Sequence, residues 1–212
     1  MIKTIIFDMG GVIITLGADE AERRFEALGV TNAHEQLDSY TQKGIFGDLE
    51  RGTITAEDFR RELSLQVGRE LTYAECQHAW LGYFKEVPRR NLDALIDLRN
   101  KGYHLVLLSN TNPFVMEHIL SPRFDGEGHS LADYLDAVYM SYKMKVMKPD
   151  ETFFRRVLMS EQVPPSECLF IDDGIRNVAA ASQLGMFTIC PQNGEDWTVK
   201  MYDFLNDNRN RQ

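Results

Sequence analysis

Asp8 sits inside the run KTIIFDMGGVII at residues 3–14, where it interrupts a nearly continuous apolar stretch. Such a stretch reads as a strand buried on both faces, and a charge inside it is costly unless it is paired or bound to a metal. At the end of the strand, followed by Gly10 and Gly11, the carboxylate would instead stand in a crevice with room for a ligand. Three further groups follow apolar runs in the same way: Ser109, Asn110 and Thr111; Lys148 before Pro149; and Asp172, Asp173 and Asn177. Together they supply a nucleophile, hydroxyl and amide donors, a fixed cation and a carboxylate pair. That set suits phosphoryl transfer. A carboxylate can attack phosphorus and split one hard step into two. A lysine can neutralise charge on the nucleophile and the phosphoryl group. Paired carboxylates with a backbone carbonyl are hard oxygen ligands suited to Mg²⁺.

These groups need elements that bring them to one place. Short apolar runs at 3–8, 103–108, 137–140, 168–171 and 187–190 read as strands. Helical spacing lies between them, around 113–120, 152–160, 178–184 and 196–205. Alternating strands and helices predict a parallel sheet with helices on both faces, and ligands in such sheets bind outside the carboxyl ends of the strands. A helical block interrupts the alternation after the first strand. Ala21, Phe25 and Leu28 share one helical face; Leu37 and Tyr40 suggest a second helix. Thr55 to Asp58 and Thr72 to Glu75 resemble capping boxes that open two more. Their stripes are Phe59, Leu63 and Val67, then Tyr73, Cys76, Trp80 and Phe84, and Trp80 and Phe84 are expected to pack in a core. Pro88 starts a further helix that ends near Gly102. The tail from Asn206 to Gln212 is polar and expected to fray. The expected fold is therefore α/β, a Rossmann-like parallel sheet core (1–15 and 88–212) with a helical cap (16–87) inserted after the first strand.

Composition narrows the partners. The 212 residues carry 23 Lys and Arg against 32 Asp and Glu, a net charge of −9, which argues against nucleic acid or an anionic membrane. It leaves room for an anionic substrate, because local cations or a metal can reverse the field in a pocket. Cys76, Cys168 and Cys190 are scattered and are expected to be buried thiols; His34, His78, His104, His118 and His129 show no metal spacing. The apolar stretch at the start is broken by Asp8 and has no cleavage site after it, and no segment reaches transmembrane length. A cytoplasmic protein acting as a monomer or homodimer is the expectation.

The four groups, in order, carry a resemblance. FDMGGV at 7–12, LSNT at 108–111, Lys148-Pro149 and FIDD at 170–173 resemble the motifs of haloacid dehalogenase-type phosphatases, over nearly the whole chain. The segment GDLERGTITAEDF at 47–59 resembles the caps of bacterial glucose-1-phosphate phosphatases; the phosphatase domain of soluble epoxide hydrolase is a more distant relative of that branch. The resemblance implies that Asp8 is the nucleophile and a metal ligand, with the Gly10 carbonyl a second ligand, Asp173 binding Mg²⁺ directly, and Asp172 beside it either as a ligand or just behind the ligands. It implies that Ser109, Asn110 and Lys148 bind the phosphoryl group, Lys148 also serving catalysis. The family's first motif usually has an aspartate two residues after the nucleophile, as acid and base; here that position is Gly10. Asp19, Glu20 or Glu50 from the cap, or solvent, could answer the gap, but the favoured expectation is a substrate with a good leaving group, such as a sugar 1-phosphate. A phosphometabolite-binding or regulatory protein with little turnover is the alternative, and a dehalogenase the less favoured one.

Overall fold

The structure, a computed structural model, describes residues 1–37 and 43–210. The first strand, β1 (Thr4–Phe7), ends immediately before Asp8. A short strand, β2 (Thr15–Leu16), leads into helices α1 (Ala18–Leu28), α2 (Ala33–Gln36), α3 (Gly44–Arg51), α4 (Ala56–Val67) and α5 (Tyr73–Trp80). The chain returns through β3 (Phe84–Glu86), which pairs antiparallel with β2. Then follow α6 (Arg89–Asn100), β4 (His104–Ser109), α7 (Pro113–Ile119), β5 (Ala137–Met140), α8 (Ser141–Met144) and α9 (Glu151–Glu161). The remaining elements are β6 (Cys168–Ile171), α10 (Ile175–Gln183), β7 (Phe187–Ile189) and α11 (Trp197–Asn210).

Strands β5-β4-β1-β6-β7 form one sheet in that order, every pair parallel. The register sets Phe7 beside Leu107 and Ile171, so β1 and β6 end level while β4 runs two residues further, to Ser109. Burial on both faces explains the unbroken apolar runs. Ile5, Phe7, Leu105, Leu107, Leu169 and Ile171 point to the layer of α6 and α11. Ile6, Val106, Leu108 and Phe170 point to the layer of α9. Side-chain period two thus serves two cores from one strand.

The helical block has its own core. Phe25, Phe46, Phe59 and Trp80 pack ring against ring at centroid distances of 5.1–5.8 Å. Both expected capping boxes form, Thr55 with Asp58 and Thr72 with Glu75. Phe114 of α7 joins this cluster from the sheet domain's side, its ring 5.7 Å from Phe59 and 4.7 Å from Tyr73. Hydrogen bonds from Gln77 Nε2 to the Phe114 carbonyl and from Tyr73 Oη to Glu117 fasten the same junction.

Several expectations shift. Tyr40 lies outside the described residues. The helix expected at 178–184 is α10 and starts three residues earlier, because only Asp172, Asp173 and Gly174 separate it from β6. The tail is helical through Asn210, since Met201 and Leu205 of α11 are buried against the sheet. Phe84 lies on β3 and packs on the sheet core rather than in the helical block. The three cysteines are free; Cys76 and Cys168 are buried, but Cys190, just past edge strand β7, is exposed. Among the described residues no helix is long and apolar enough to cross a membrane.

Candidate active site

The loop after β1 is held from two sides. Asn91 of α6 donates to the Val12 and Ile13 carbonyls at 2.8 and 3.1 Å, and the Trp197 indole donates to Val12 at 2.8 Å. The Asp8 amide continues the sheet ladder by bonding the Ile171 carbonyl at 2.9 Å. Its carboxylate accepts the Met9 N–H at 2.7 Å. The backbone around Asp8 is therefore set before any ligand arrives, which is the preorganisation that nucleophilic chemistry needs.

Lys148 is the charge at the centre. Its ammonium stands 2.9 Å from Asp8 Oδ1 and 2.6 Å from Asp172 Oδ2, and its side chain is 1% exposed. Burial alone would drive the Lys148 ammonium toward neutrality; Asp172 and Asp8 outweigh that and hold it charged. Burial is also the largest influence on Asp8, raising its carboxyl to about 7; Lys148 opposes the rise while Asp172 and Asp173 add to it. Asn110 fixes the lysine's backbone: its amide donates to the Lys148 carbonyl at 2.9 Å and accepts the Lys148 N–H at 2.8 Å. Asp172 is fully buried and also accepts from the Gly174 amide and the Asn177 side chain.

A cavity of about 350 Å³ opens at this edge of the sheet. Asp8, Gly10, Asn110, Lys148, Asp173 and Asn177 line it from the sheet domain, and Glu50, Trp80 and Tyr83 from the helical block. Trp80 therefore serves both the aromatic core and the cavity wall, and its buried indole N–H has no hydrogen-bond partner among the described residues. Ser109 does not line the cavity. It is 1% exposed, and its hydroxyl donates to the Asn110 carbonyl at 3.3 Å. Asp172 lies behind the wall, holding Lys148, and Asp173 is on it.

One oxygen from each of Asp8, Asp172 and Asp173 lies within 4.8 Å of the others. Gly11, at φ +77°, makes this possible: a Cβ there would meet Asp173 Oδ2 at 2.2 Å. Three hard carboxylate donors converging beside a buried ammonium suit a small divalent cation such as Mg²⁺. A second carboxylate and histidine group, Asp125, Glu127 and His129, also meets on the surface. There Asp125 already accepts from the Glu127 and His129 amides, the His129 ring and the Tyr134 hydroxyl.

Of the three cap carboxylates raised by the sequence, one reaches the cavity. Glu20 pairs with Arg23 and Arg24 away from it, and Asp19 does not line it. Glu50 does, and neither α3, which carries it, nor the β2–β3 ribbon was visible in the sequence pattern. Gly44 and Gly47 dilute the apolar signal of Ile45, Phe46 and Leu49; the ribbon strands are too short to show a period.

Residues 2–185 match the haloacid dehalogenase-like hydrolases. The D-ribitol-5-phosphate phosphatase of Bacteroides thetaiotaomicron is 47% identical over 206 residues, spanning 97% of this chain and all of the relative. A predicted haloacid dehalogenase-like hydrolase from Porphyromonas gingivalis superposes with a TM-score of 0.91 at 45% identity, covering 97% of this chain and 98% of that one. A family enzyme of B. thetaiotaomicron in complex with magnesium and inorganic phosphate superposes with a TM-score of 0.83 at 33% identity, covering 93% and 98% of the two chains. The chain belongs to the haloacid dehalogenase-like hydrolases.

Proposed function

We propose that this chain is a Mg²⁺-dependent phosphomonoester hydrolase acting on a small phosphorylated metabolite through an aspartyl-phosphate on Asp8. The observation that carries the reading is the Asp8, Lys148 and Asp173 constellation at the mouth of a cavity of metabolite size. Asp8 attacks phosphorus and the phosphorus–oxygen bond to the leaving group breaks. Lys148 holds the Asp8 carboxylate in line and offsets charge on the transferring group. Asn110 lines the wall and, with its oxygen and one N–H bonded to the Lys148 backbone, offers its second amide N–H to the phosphoryl oxygens; Ser109 joins it by turning its hydroxyl from the Asn110 carbonyl toward the crevice. Asp8, the Gly10 carbonyl, Asp172 and Asp173 would hold the metal, with Asp173 the carboxylate nearest the cavity. The metal, when bound, supplies charge neutralisation at the phosphoryl group.

The cap, 16–87, covers the leaving group. The relative's D-ribitol 5-phosphate makes a polyol or sugar phosphate esterified at a primary hydroxyl the first candidate substrate. The sugar 1-phosphate suggested by Gly10 has a better leaving group and is the comparison to run against it. The test is phosphate release from D-ribitol 5-phosphate, glucose 1-phosphate, glucose 6-phosphate and p-nitrophenyl phosphate, with Mg²⁺ or with chelator. We expect release that needs Mg²⁺, is abolished by Asp8→Asn and is fastest for the polyol phosphate. Mg²⁺ and phosphate binding with no release from any ester would instead support a phosphometabolite-binding protein.

A further inference from the structure

A phosphatase that expels an alkoxide needs a proton at the leaving oxygen, and position 10 has no side chain to provide one. Leu16 fills the space beside it: a Cβ at Gly10 would lie 2.5 Å from Leu16 Cδ1, so a side chain there would require the leucine to shift. The proton must come from elsewhere on the cavity wall. The wall's acidic residues are Asp8, Asp173 and Glu50. Asp8 is committed to phosphorus and Asp173 belongs to the carboxylate group around it. Glu50 is the one that enters from the helical block, the side of the cavity left for the leaving group.

Its backbone is seated against the sheet domain. The Ser141 hydroxyl, at the end of β5, donates to the Glu50 carbonyl at 2.6 Å and accepts the Thr111 N–H at 3.0 Å. Two residues on, Gly52 lies so close to the chain at Tyr142 that a Cβ would be 2.1 Å from the Tyr142 carbonyl oxygen. The last turn of α3 is thus docked on the strand end next to Asn110 and Thr111. Its carboxylate pairs with no cation among the described residues.

We propose that Glu50 is the general acid and base of this site, taking the place of the side chain missing at position 10; the proposal rests on the phosphomonoesterase reading above. In the first half-reaction Asp8 Oδ bonds to phosphorus, the ester P–O bond breaks, and the leaving oxygen takes the Glu50 proton to become a free alcohol. In the second, ionised Glu50 takes a proton from water as the water oxygen bonds to phosphorus. The Asp8–phosphorus bond breaks, and phosphate, the Asp8 carboxylate and protonated Glu50 result. Burial, with the Asp8 charge adding to it, raises the Glu50 carboxyl to about 8, so the group starts each cycle protonated at neutral pH. The substrate class widens accordingly. An acid at the leaving oxygen lets the enzyme cleave esters of ordinary alcohols.

The test compares Glu50→Gln with wild-type enzyme on an alkyl ester, D-ribitol 5-phosphate, and on p-nitrophenyl phosphate, whose leaving group needs no proton. We expect kcat/KM for the alkyl ester to fall by roughly 10²–10⁴, the usual worth of a general acid. For the aryl ester kcat/KM should fall at least tenfold less. Rapid quenching should then show a burst of p-nitrophenol followed by slow turnover, because water attack on the phosphoenzyme has lost its base. Formate should partly restore Glu50→Ala. Equal losses on both esters with no burst, or no loss on either, would overturn the assignment. Wild-type enzyme that releases phosphate from neither ester, or an Asp8→Asn variant that still does, would overturn the phosphomonoesterase reading itself.

Discussion

Asp172 Oδ2 accepts a 2.6 Å charge-assisted hydrogen bond from Lys148, and both side chains are essentially sealed from solvent at 0% and 1% exposure. The pair is the floor of the site, because the same ammonium reaches Asp8 at 2.9 Å. Removing one partner of a buried pair leaves a charge with no compensation, which costs about 3–5 kcal/mol. Lys148→Met is therefore expected to lose turnover and to lower stability by about that amount. Urea unfolding with chelator present measures it. Added Mg²⁺ should recover part of the loss in Lys148→Met, because a cation among Asp8, Asp172 and Asp173 replaces some of the missing charge. Stability within about 1 kcal/mol of wild type, on a scale where surface changes stay within about 0.5 kcal/mol, would show that Asp172 does not depend on Lys148.

The junction of the helical block with the end of β5 makes a second test. Gly52 has φ +73°, and an added Cβ would be 2.1 Å from the Tyr142 oxygen and 2.8 Å from its carbonyl carbon, both backbone atoms with little freedom to yield. Gly52→Ala is expected to lift the end of α3 and carry Glu50 away from the leaving group. A misplacement of about 1 Å costs as much as a hundredfold in rate. We expect kcat/KM on an alkyl phosphate to fall at least tenfold, with a smaller loss on p-nitrophenyl phosphate. The left-handed backbone itself costs about 1–2 kcal/mol for a non-glycine residue. A loss of stability without the difference between esters would place Gly52 in folding alone.

The raised Glu50 carboxyl has a consequence for stability against pH. Asp8, Lys148 and Asp173 share the cavity with it, and burial followed by the Asp8 charge sets the direction. Below the unfolded value near 4.5, both folded and unfolded chains hold the proton and Glu50 contributes nothing. Between there and about 8 the unfolded chain releases the proton while the folded one keeps it, so the folded state loses stability as pH rises. Glutamine has no proton to lose. Glu50→Gln is therefore expected to melt higher than wild type at pH 8 and equally at pH 4, measured with chelator present. A melting temperature below wild type at pH 8 would contradict the half-buried, uncompensated carboxyl.

Much of this site is written in local sequence. The strands after which Asp8, Asn110 and Asp172 emerge are apolar on both faces, and burial in a two-sided sheet imposes that pattern. What the pattern does not encode is which polar groups face the cavity and which face each other. Asn110 was expected at the phosphoryl group, yet both ends of its amide bond the Lys148 backbone. Ser109 was expected beside it and lies behind the wall. Neighbours along the chain leave the end of a strand in opposite directions, so adjacency in sequence does not give a shared direction. Asn91 and Trp197, which hold the loop after β1, act from helices distant in sequence and carry no local signal. Glu50 was one of three cap carboxylates that composition could not tell apart; only the docking of α3 on Ser141 and Tyr142 separates it from Asp19 and Glu20.

Gly10 and Leu16 give the last prediction. Restoring an aspartate at position 10 would, on sequence grounds, raise turnover of poor leaving groups. The structure adds an obstacle, since the new Cβ would be 2.5 Å from Leu16 Cδ1 and 3.2 Å from Leu16 Cγ. The far end of a leucine can move, but Leu16 is also packed against both the sheet core and the helical-block core, which limits where it can go. Gly10→Asp alone is therefore expected to gain little. Combined with Leu16→Ala, the carboxylate has room beside Asp8. If Glu50 supplies the proton in the native enzyme, the gain should be small in that background and large where Glu50 is absent. Gly10→Asp with Leu16→Ala is expected to recover at least tenfold of the alkyl-ester kcat/KM lost in Glu50→Gln. Leu16→Ala added alone to Glu50→Gln should recover none, which separates a new acid from a wider cavity. Failure of the aspartate to rescue in a variant that still binds Mg²⁺ and phosphate would mean that the two positions do not serve the same proton.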